Sequence, residues 1–154
     1  MRKTLFCTLL SGCLLSAGAL QADDKVDFEK QIYPLIKASC VKCHQPVHED
    51  ERGRSRKPKG GIVMTSKEGI TTAVDEDDNK ILVPGDAEKS RILQVTMLPL
   101  DDDMHFPPEG KAPQWTKKEK ELVAKWIKEG ADFGKWTADP KPHDLIKWDG
   151  KEKE

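Results

Sequence analysis

Residues 40–44 of the chain are Cys-Val-Lys-Cys-His, and this short stretch decides which kind of fold the sequence supports. Two residues separate Cys40 from Cys43, so a single helical turn places both thiols along one edge. His44 follows immediately with an imidazole. The motif therefore supplies two thiols and one nitrogen ligand within a single turn of chain.

The cysteine count leaves these two thiols without a disulfide role. The chain has four cysteines, and Cys7 and Cys13 lie in an N-terminal segment that does not look like part of the fold. Small exported domains are stabilised by several disulfides, which two cysteines three positions apart do not provide. Cys40 and Cys43 therefore need another use.

The C-x-x-C-H pattern is the signature of covalent haem attachment. We predict one haem c, with Cys40 and Cys43 joined to its two vinyl groups as thioethers and His44 bound to the iron as proximal ligand. A zinc site needs two further ligands; His44 and His48 are available, but the usual zinc layouts separate one ligand pair from the other by a dozen residues or so. A thioredoxin-like pair is typical of a βαβ context, whereas the segment before Cys40 has a helical pattern.

The first 22 residues have the layout of a secretory signal peptide. Arg2 and Lys3 precede an apolar stretch that ends in Ala22, just before two aspartates. Removal of residues 1–22 leaves 24 basic and 27 acidic residues, a net charge of −3 that gives no case for nucleic-acid binding. We therefore predict an exported, periplasmic protein. Cys13 lies in a lipobox-like Leu-Ser-Gly-Cys sequence, so a lipoprotein anchored to the membrane is the alternative.

An amphipathic pattern predicts a helix directly before the motif. Apolar residues recur on one helical face at Phe28, Ile32, Leu35 and Ile36. Asp27 is the predicted N-cap. Pro34 lacks an N–H donor, so we expect a kink or an early end there.

A second helix is predicted after residue 116. Thr116 and Glu119 have the spacing of a capping box, and Gly130 supplies the stop. The apolar face of this helix consists of Leu122, Val123, Trp126 and Ile127. Two such helices predict a small all-α fold, with the N- and C-terminal helices crossing around one covalent haem.

The chain between these helices is predicted to be less regular. Residues 48–61 form a polar loop with five basic side chains, and residues 66–73 form one or two helical turns. Asp86 is the predicted cap of a helix that extends to about Met97. Residues 98–113 contain four prolines and three consecutive aspartates, which predict an irregular loop.

The order of these motifs resembles the planctomycete-type cytochrome c domain, a small haem domain common in exported proteins of planctomycetes and verrucomicrobia. The matching stretches are residues 28–35, the motif at 40–44, Gly60-Gly61, residues 83–86 with Ser90, Pro107-Pro108 with Gly110-Lys111, and Trp126-Ile127 with Gly130-Ala131. The haem motif alone marks any c-type cytochrome, and the ordered set indicates this family. We assign residues 23–135 to the domain and residues 136–154 to a surface strap ending in a tail.

The resemblance also implies a second axial ligand, which is usually a methionine just before paired prolines. Phe106 occupies that position here, and a phenyl ring cannot bind iron. Met104 leaves an extended loop on the same face as Phe106, which favours it as the distal ligand. His105 points to the other face and is the alternative. An open or remotely ligated iron is the third possibility, with Met64, Met97 and His48 as remote candidates.

A haem with both axial positions filled has no place for a substrate, which favours electron transfer. We therefore predict a one-electron carrier that is not an enzyme, with unidentified redox proteins as partners. A ligand-binding or peroxidatic haem protein is the alternative, because Phe106 replaces the usual methionine. A non-haem metal-binding module is the third hypothesis. The basic run at residues 52–59 docks an acidic partner, approaches the haem propionates or remains solvated.

Overall fold

A computed structural model describes residues 25–152 as a mostly helical domain. The chain starts with a π-helical turn, Phe28–Ile32, which continues into α1, Tyr33–Ser39. The other described helices are α2 (Lys67–Thr72), α3 (Arg91–Met97) and α4 (Lys117–Lys128), together with a 3₁₀ turn at Lys59–Gly61. Two short strands, β1 (His48–Glu49) and β2 (Ser55–Arg56), pair antiparallel.

The N-terminal helix starts where the sequence predicts and changes its hydrogen-bonding pattern just before Pro34. The Asp27 side chain accepts a hydrogen bond from the Lys30 N–H and so caps the first turn. The Tyr33 N–H donates to the Phe28 carbonyl, one residue farther back than in an α-helix. Pro34 lies in the first turn of α1, where its missing N–H donor is tolerated. The irregularity predicted at Pro34 is therefore a change from π-helix to α-helix.

Helix α4 has the ends that its sequence predicts. The Thr116 side chain accepts from the Glu119 N–H, and the Glu119 carboxylate accepts from the Thr116 N–H at 2.8 Å. Gly130 has a φ of 97°, a conformation that residues with side chains rarely adopt. The Ala131 N–H then bonds back to the Trp126 carbonyl and closes the helix.

Aromatic side chains join the two ends of the domain in one core. The Phe28 ring centre lies 5.0 Å from that of Trp126 and 4.5 Å from that of Phe133. The Trp136 ring lies 4.8 Å from Phe28 and 4.7 Å from Tyr33. All five side chains are buried. Contacts between rings at these distances add to the stabilisation from apolar burial, so the N-terminal helix is held against α4.

The all-α prediction needs one correction, because residues 48–61 are not a plain loop. The strands β1 and β2 form a short hairpin there, and Asp50 organises its turn. The Asp50 carboxylate pairs with the guanidinium groups of Arg54 and Arg56 at 2.8 and 2.7 Å and accepts from the Arg52 N–H. These hydrogen bonds, those from Arg54 foremost, hold the pKa of Asp50 well below its usual range. The Asp50 carboxylate therefore binds three of the basic residues in this segment and holds the turn between β1 and β2.

Helix α3 begins later than predicted. We expected Asp86 to cap it, but the helix starts at Arg91. Asp86 instead accepts from the Lys89 N–H and caps only the preceding turn. The buried Ser90 hydroxyl accepts from the Val83 N–H at 2.9 Å and donates to the Asp86 carbonyl at 2.8 Å. These bonds hold the chain in a turn before α3, so helical hydrogen bonding begins only after it.

Two shorter predictions are confirmed. Helix α2 lies within residues 66–73, and the Ser66 side chain caps it by accepting from the Gly69 N–H. Residues 98–113 contain no helix or strand. The predicted irregular loop is therefore present between α3 and α4.

Residues 136–152, which we call the strap, run back over the domain. Ala138 forms an isolated β-bridge with Ser66. The buried Asp139 carboxylate accepts from the Tyr33 hydroxyl at 2.6 Å and pairs with Lys37 at 2.7 Å. These contacts fasten the strap to α1 and to the start of α2. The predicted boundary between domain and tail stays a prediction.

The predicted signal peptide, with Cys7 and Cys13, lies outside residues 25–152. Export and lipid attachment therefore stay predictions. Across residues 25–152, no helix is long and apolar enough to cross a membrane.

Replacing Asp139 with asparagine tests how firmly the strap is held. The variant loses the ion pair with Lys37 and leaves a largely covered ammonium without its carboxylate. We expect the free energy of unfolding at neutral pH to fall by about 2 kcal/mol, measured by urea denaturation. Asp144→Asn, at an exposed position of the strap, is the matched control and should cost less than about 0.5 kcal/mol.

The pH dependence of this difference provides an independent check. Burial alone raises the pKa of Asp139, but hydrogen bonds from Lys37 and Tyr33 outweigh it, so the pKa lies below the ordinary 3.8. A lowered folded-state pKa gives stability that is present above the unfolded-state pKa and is lost as the pH falls through the folded-state value. The difference between wild type and Asp139→Asn should therefore shrink below about pH 4. A difference that stays constant into strong acid would contradict this account.

Candidate functional site

Helix α1 leads the chain directly into the Cys-Val-Lys-Cys-His turn. The Cys40 N–H donates to the Ile36 carbonyl at 2.8 Å, which extends the helical bonding past the end of α1. The His44 N–H donates to the Cys40 carbonyl at 3.1 Å and closes one turn across the motif. Val41 is buried in the core, whereas Lys42 is exposed. The motif thus forms the single turn that its spacing predicts, and Val41 fixes it from the inside.

The two thiols of this turn are free, and both residues are half-buried. Desolvation raises the pKa of the Cys40 thiol to about 12, and its neighbour Cys43 adds to the shift. A redox-active Cys-x-x-Cys pair has the opposite property, because its attacking thiol has a lowered pKa. The surroundings of Cys40 therefore do not favour a thioredoxin-like reaction.

His44 presents an imidazole with one buried nitrogen, Nδ1, that has no hydrogen-bond partner. Among the described residues, its Nδ1 is the buried side-chain polar atom that has no hydrogen-bond partner. Burial lowers the pKa of the ring, and the nearby carbonyl groups of Ile62 and Lys59 oppose this effect without reversing it. The neutral imidazole that results is the form that binds a metal. Metal-bound histidines usually donate their other nitrogen to an oxygen such as a backbone carbonyl.

The segment after the hairpin holds the end of the motif. The Lys59 N–H donates to the Cys43 carbonyl at 2.9 Å, and the Met64 N–H donates to the His44 carbonyl at 2.7 Å. Between them, Gly60 and Gly61 have φ angles of 57° and 69°, which favour glycine. The Gly60-Gly61 pair of the resemblance therefore turns the chain back against the attachment motif.

The residues of this turn fit a haem better than a zinc ion. Within the described part of the chain, no group of three or more histidine, cysteine, aspartate or glutamate side chains is placed to hold a metal ion. A structural zinc ion usually has four such ligands. Two free thiols on one turn, followed by an imidazole with an unpartnered nitrogen, fit a haem attached through Cys40 and Cys43 and bound by His44.

The loop at residues 98–113 is organised by His105. This residue is only 3% exposed, with Nδ1 2.8 Å from the Leu98 carbonyl oxygen and Nε2 2.8 Å from Oε1 of Gln114. The Gln114 amide in turn donates to the Pro107 carbonyl. His105 therefore joins the start of the loop to its end. A bond from either ring nitrogen to iron would break one of these contacts.

Met104 and Phe106 have the opposite environment. Met104 is 46% exposed, and its backbone N–H donates to the Asp102 side chain. Phe106 is 36% exposed, and its backbone N–H donates to the Val95 carbonyl. The burial pattern follows the alternation expected of an extended loop, with His105 turned inward between two outward side chains. The choice of distal ligand itself stays a prediction.

The remote candidates lie in three different parts of the fold. Met64 is buried in the core, Met97 is 64% exposed at the end of α3, and His48 is half-buried in β1.

The end of the loop is fastened to the helix that precedes the motif. Ser39, which directly precedes Cys40, donates a hydrogen bond from its hydroxyl to the Pro113 carbonyl at 2.7 Å. The Trp115 indole N–H donates to the Leu35 carbonyl at 3.4 Å. The loop that carries the distal candidates and the turn that carries the thiols are therefore joined through α1.

The sequence reading missed a cluster on the other side of the motif. Gln45 is buried, and its Oε1 lies 2.8 Å from Nδ1 of His143, which is 98 residues later in the strap. The His143 ring also faces the ring of His48. No periodicity or motif marks His143 in its lysine- and proline-rich surroundings, so only the folded chain brings these residues together.

Comparison with protein families agrees with the geometry of the turn. The family model described as Planctomycete cytochrome C matches residues 40–110, from the first cysteine of the motif to the glycine after the paired prolines. The resemblance stated from the sequence is confirmed over these residues. Comparison with curated proteins and comparison with solved structures gave no match to the chain.

His105→Ala tests whether this side chain holds the loop. The variant leaves the Leu98 carbonyl and the Gln114 amide without their partner, so we expect the free energy of unfolding to fall by about 2–3 kcal/mol. Hydrogen exchange should accelerate at the Phe106 N–H. Glu109→Ala, at an exposed position of the same loop, serves as the control. Unchanged stability and exchange in His105→Ala would show that other contacts hold the loop.

Proposed function

The chain carries a Planctomycete cytochrome C domain at residues 40–110, and on this premise we propose that it is an exported carrier of single electrons with one covalent haem c. The observation that carries the proposal is the turn with the free thiols of Cys40 and Cys43 and the buried, unpartnered Nδ1 of His44. These are the only cysteines after the proposed signal peptide, which supports a single haem.

Each residue of the turn has a separate role in this proposal. Cys40 and Cys43 form the thioether bonds. Once these bonds are formed, neither sulfur has a proton to lose, so the raised pKa of the free Cys40 thiol does not oppose this role. His44 binds the iron through its neutral imidazole, the form that burial favours by lowering the pKa of the ring. Val41 anchors the turn in the core. A bound haem supplies an iron that changes by one electron without leaving its ligands.

Met104 is the proposed distal ligand. Its side chain is exposed, whereas both ring nitrogens of His105 already face oxygen acceptors at 2.8 Å. Replacing one of those contacts by an iron bond would leave the half-buried Leu98 carbonyl or Gln114 amide oxygen without this partner, which costs about 1–3 kcal/mol. A thioether ligand involves no such loss. It also favours a higher reduction potential than a second imidazole.

A filled sixth position favours electron transfer over catalysis, because no substrate then reaches the iron. One observation favours a second candidate, a ligand-binding or peroxidatic haem protein. Phe106 occupies the usual ligand position, and Met104 lies on an irregular loop with an exposed side chain. If Met104 bound the iron only weakly, an external ligand would replace its thioether at the sixth position.

The location and partners of the protein follow from the same proposal. Residues 1–22 would direct export to the periplasm, where haem is attached to c-type cytochromes. The partners would be redox proteins that exchange electrons at the haem edge. A lipid on Cys13 would hold the same carrier at the membrane surface.

The thiols are tested by replacing them one at a time. Cys43→Ala, expressed with the haem-attachment machinery, should lose stable double attachment. Mass spectrometry should then show either no covalent haem or a haem attached through one bond. In the second case the spectrum in alkaline pyridine should be red-shifted, because one vinyl group remains unreacted. The double variant Cys40→Ala/Cys43→Ala should carry no covalent haem. Lys42→Ala, at an exposed position between the cysteines, is the control and should keep both bonds. Normal double attachment in Cys43→Ala would exclude the proposed role.

The distal ligand is tested on the oxidised protein. Wild type should show the weak far-red band of methionine–iron charge transfer, and Met104→Ala should lose it. The reduced variant should also bind carbon monoxide rapidly, because its sixth position is open. Met97→Ala removes another exposed methionine and should keep the band.

The other outcomes of this experiment separate the alternatives. Persistence of the band in Met104→Ala would assign ligation to another methionine. A wild type without the band that binds carbon monoxide rapidly would favour the ligand-binding function. A wild type without the band that resists carbon monoxide would favour ligation by His105.

A further inference from the structure

Two histidines meet beside the attachment turn although they are far apart in sequence. His48 lies in β1 and His143 in the strap, and their ring centres are 5.2 Å apart with 35° between the planes. The His143 residue is exposed and His48 is half-buried. Both rings are therefore accessible from solvent.

Each ring is held through Nδ1 by an oxygen atom. Nδ1 of His48 lies 3.1 Å from the Pro46 carbonyl oxygen, and Nδ1 of His143 lies 2.8 Å from Oε1 of Gln45. Since these oxygens accept, Nδ1 carries the proton, and the lone pair of each neutral ring is then on Nε2. No contact within residues 25–152 gives either Nε2 a hydrogen-bond partner. Metal-binding histidines are oriented in the same way by a second bond to oxygen.

The separation of the rings agrees with a shared ion. A late transition metal lies about 2.0–2.1 Å from an imidazole nitrogen, so two imidazoles at a tetrahedral angle have their ring centres about 5 Å apart. The observed 5.2 Å falls at this value.

We propose that His48 and His143 form a binding site for a divalent late transition metal ion, with water completing its coordination. The site borders an open groove of about 1,090 Å³ that Cys43 also lines. The metal would be additional to the haem iron, because His44 is not one of its ligands. The proposal does not depend on the proposed function, since neither histidine has a role there.

The charge of the groove decides which ions suit it. Its lining contains six basic residues and three acidic ones, namely Lys42, Arg52, Arg54, Arg56, Lys57, Lys59, Glu49, Asp50 and Glu51. Hard cations such as Mg²⁺ and Ca²⁺ are bound by carboxylates and charge, and a net positive groove repels them. Imidazole nitrogens form coordinate bonds with Cu²⁺, Ni²⁺ and Zn²⁺, among which Cu²⁺ binds most tightly. The site is therefore selective for imidazole-seeking ions, and Cu²⁺ is the best probe.

The test is a titration of the ferric, haem-loaded protein with Cu²⁺, read by calorimetry and by the electron paramagnetic resonance of the copper. Ferric haem does not reduce the added ion, and the copper spectrum is resolved from that of the iron. We expect one ion per chain and, in pulsed spectra, modulation from the remote nitrogens of two imidazoles. Mg²⁺ should give no binding heat. The copper signal is read in the same way if the chain carries no haem, so failure of the proposed function would not affect it.

Variants separate this site from incidental copper binding. His48→Ala, His143→Ala and the double variant should each weaken Cu²⁺ binding at least ten-fold, and each single variant should lose the signal of two imidazoles. Lys147→Ala, at an exposed position of the strap, should bind as wild type. Unfolding midpoints in EDTA show whether the variants remain folded, and His143→Asn provides a smaller change at the strap position. Wild-type affinity in the folded histidine variants, or a copper spectrum with fewer than two imidazoles in wild type, would overturn the proposal.

Discussion

The contact between Phe28 and Trp126, whose ring centres lie 5.0 Å apart, holds the first helix of the domain against the last. The attachment motif depends on this contact, because α1 continues without a break into the turn at Cys40. Phe133 and Trp136 complete the cluster and bring the start of the strap onto the same surface. The positions of the thiols, the imidazole and the strap thus depend on one aromatic core.

Around this core, the motif is held by backbone hydrogen bonds and the adjoining loops by polar side chains. The carbonyls of Cys43 and His44 accept from the segment at residues 59–64, which leaves the thiols and the imidazole free for chemistry. His105 performs the corresponding task in the loop at residues 98–113. The side chains proposed to hold the haem and those that hold the backbone are therefore different residues, even where they are neighbours in sequence.

Local signals were the part of the fold that the sequence predicted well. Asp27, Thr116 and Gly130 act on hydrogen bonds within a few residues, so their effect does not depend on the rest of the chain. Asp86 has the same capping chemistry, but Ser90 forms bonds back to Val83 and delays the helix. The hairpin around Asp50 was missed for a related reason, since a basic run gives no hint of the carboxylate that gathers it.

Contacts between distant segments could not be read from the sequence, and they matter most beside the motif. Gln45 and His143 are 98 residues apart, and neither lies in a periodic pattern. The matched family segment ends at residue 110, so a comparison limited to it leaves out the strap. The strap nevertheless contacts the residue that follows His44.

The two distal candidates differ in burial as well as in donor strength. Donor strength favours the imidazole of His105, whereas burial favours the thioether of Met104. Imidazole is the stronger donor to ferric iron, so the sequence alone leaves His105 as a serious rival to Met104. In the fold, His105 is buried with each ring nitrogen 2.8 Å from an oxygen atom, whereas Met104 is exposed. If His105 moved to bind the iron, its contacts with Leu98 and Gln114 would be lost, and these contacts close the loop. The same loop carries both distal candidates. The stronger ligand is therefore needed by the scaffold, which supports the proposed ligation by the weaker thioether of Met104 and the raised reduction potential expected from it.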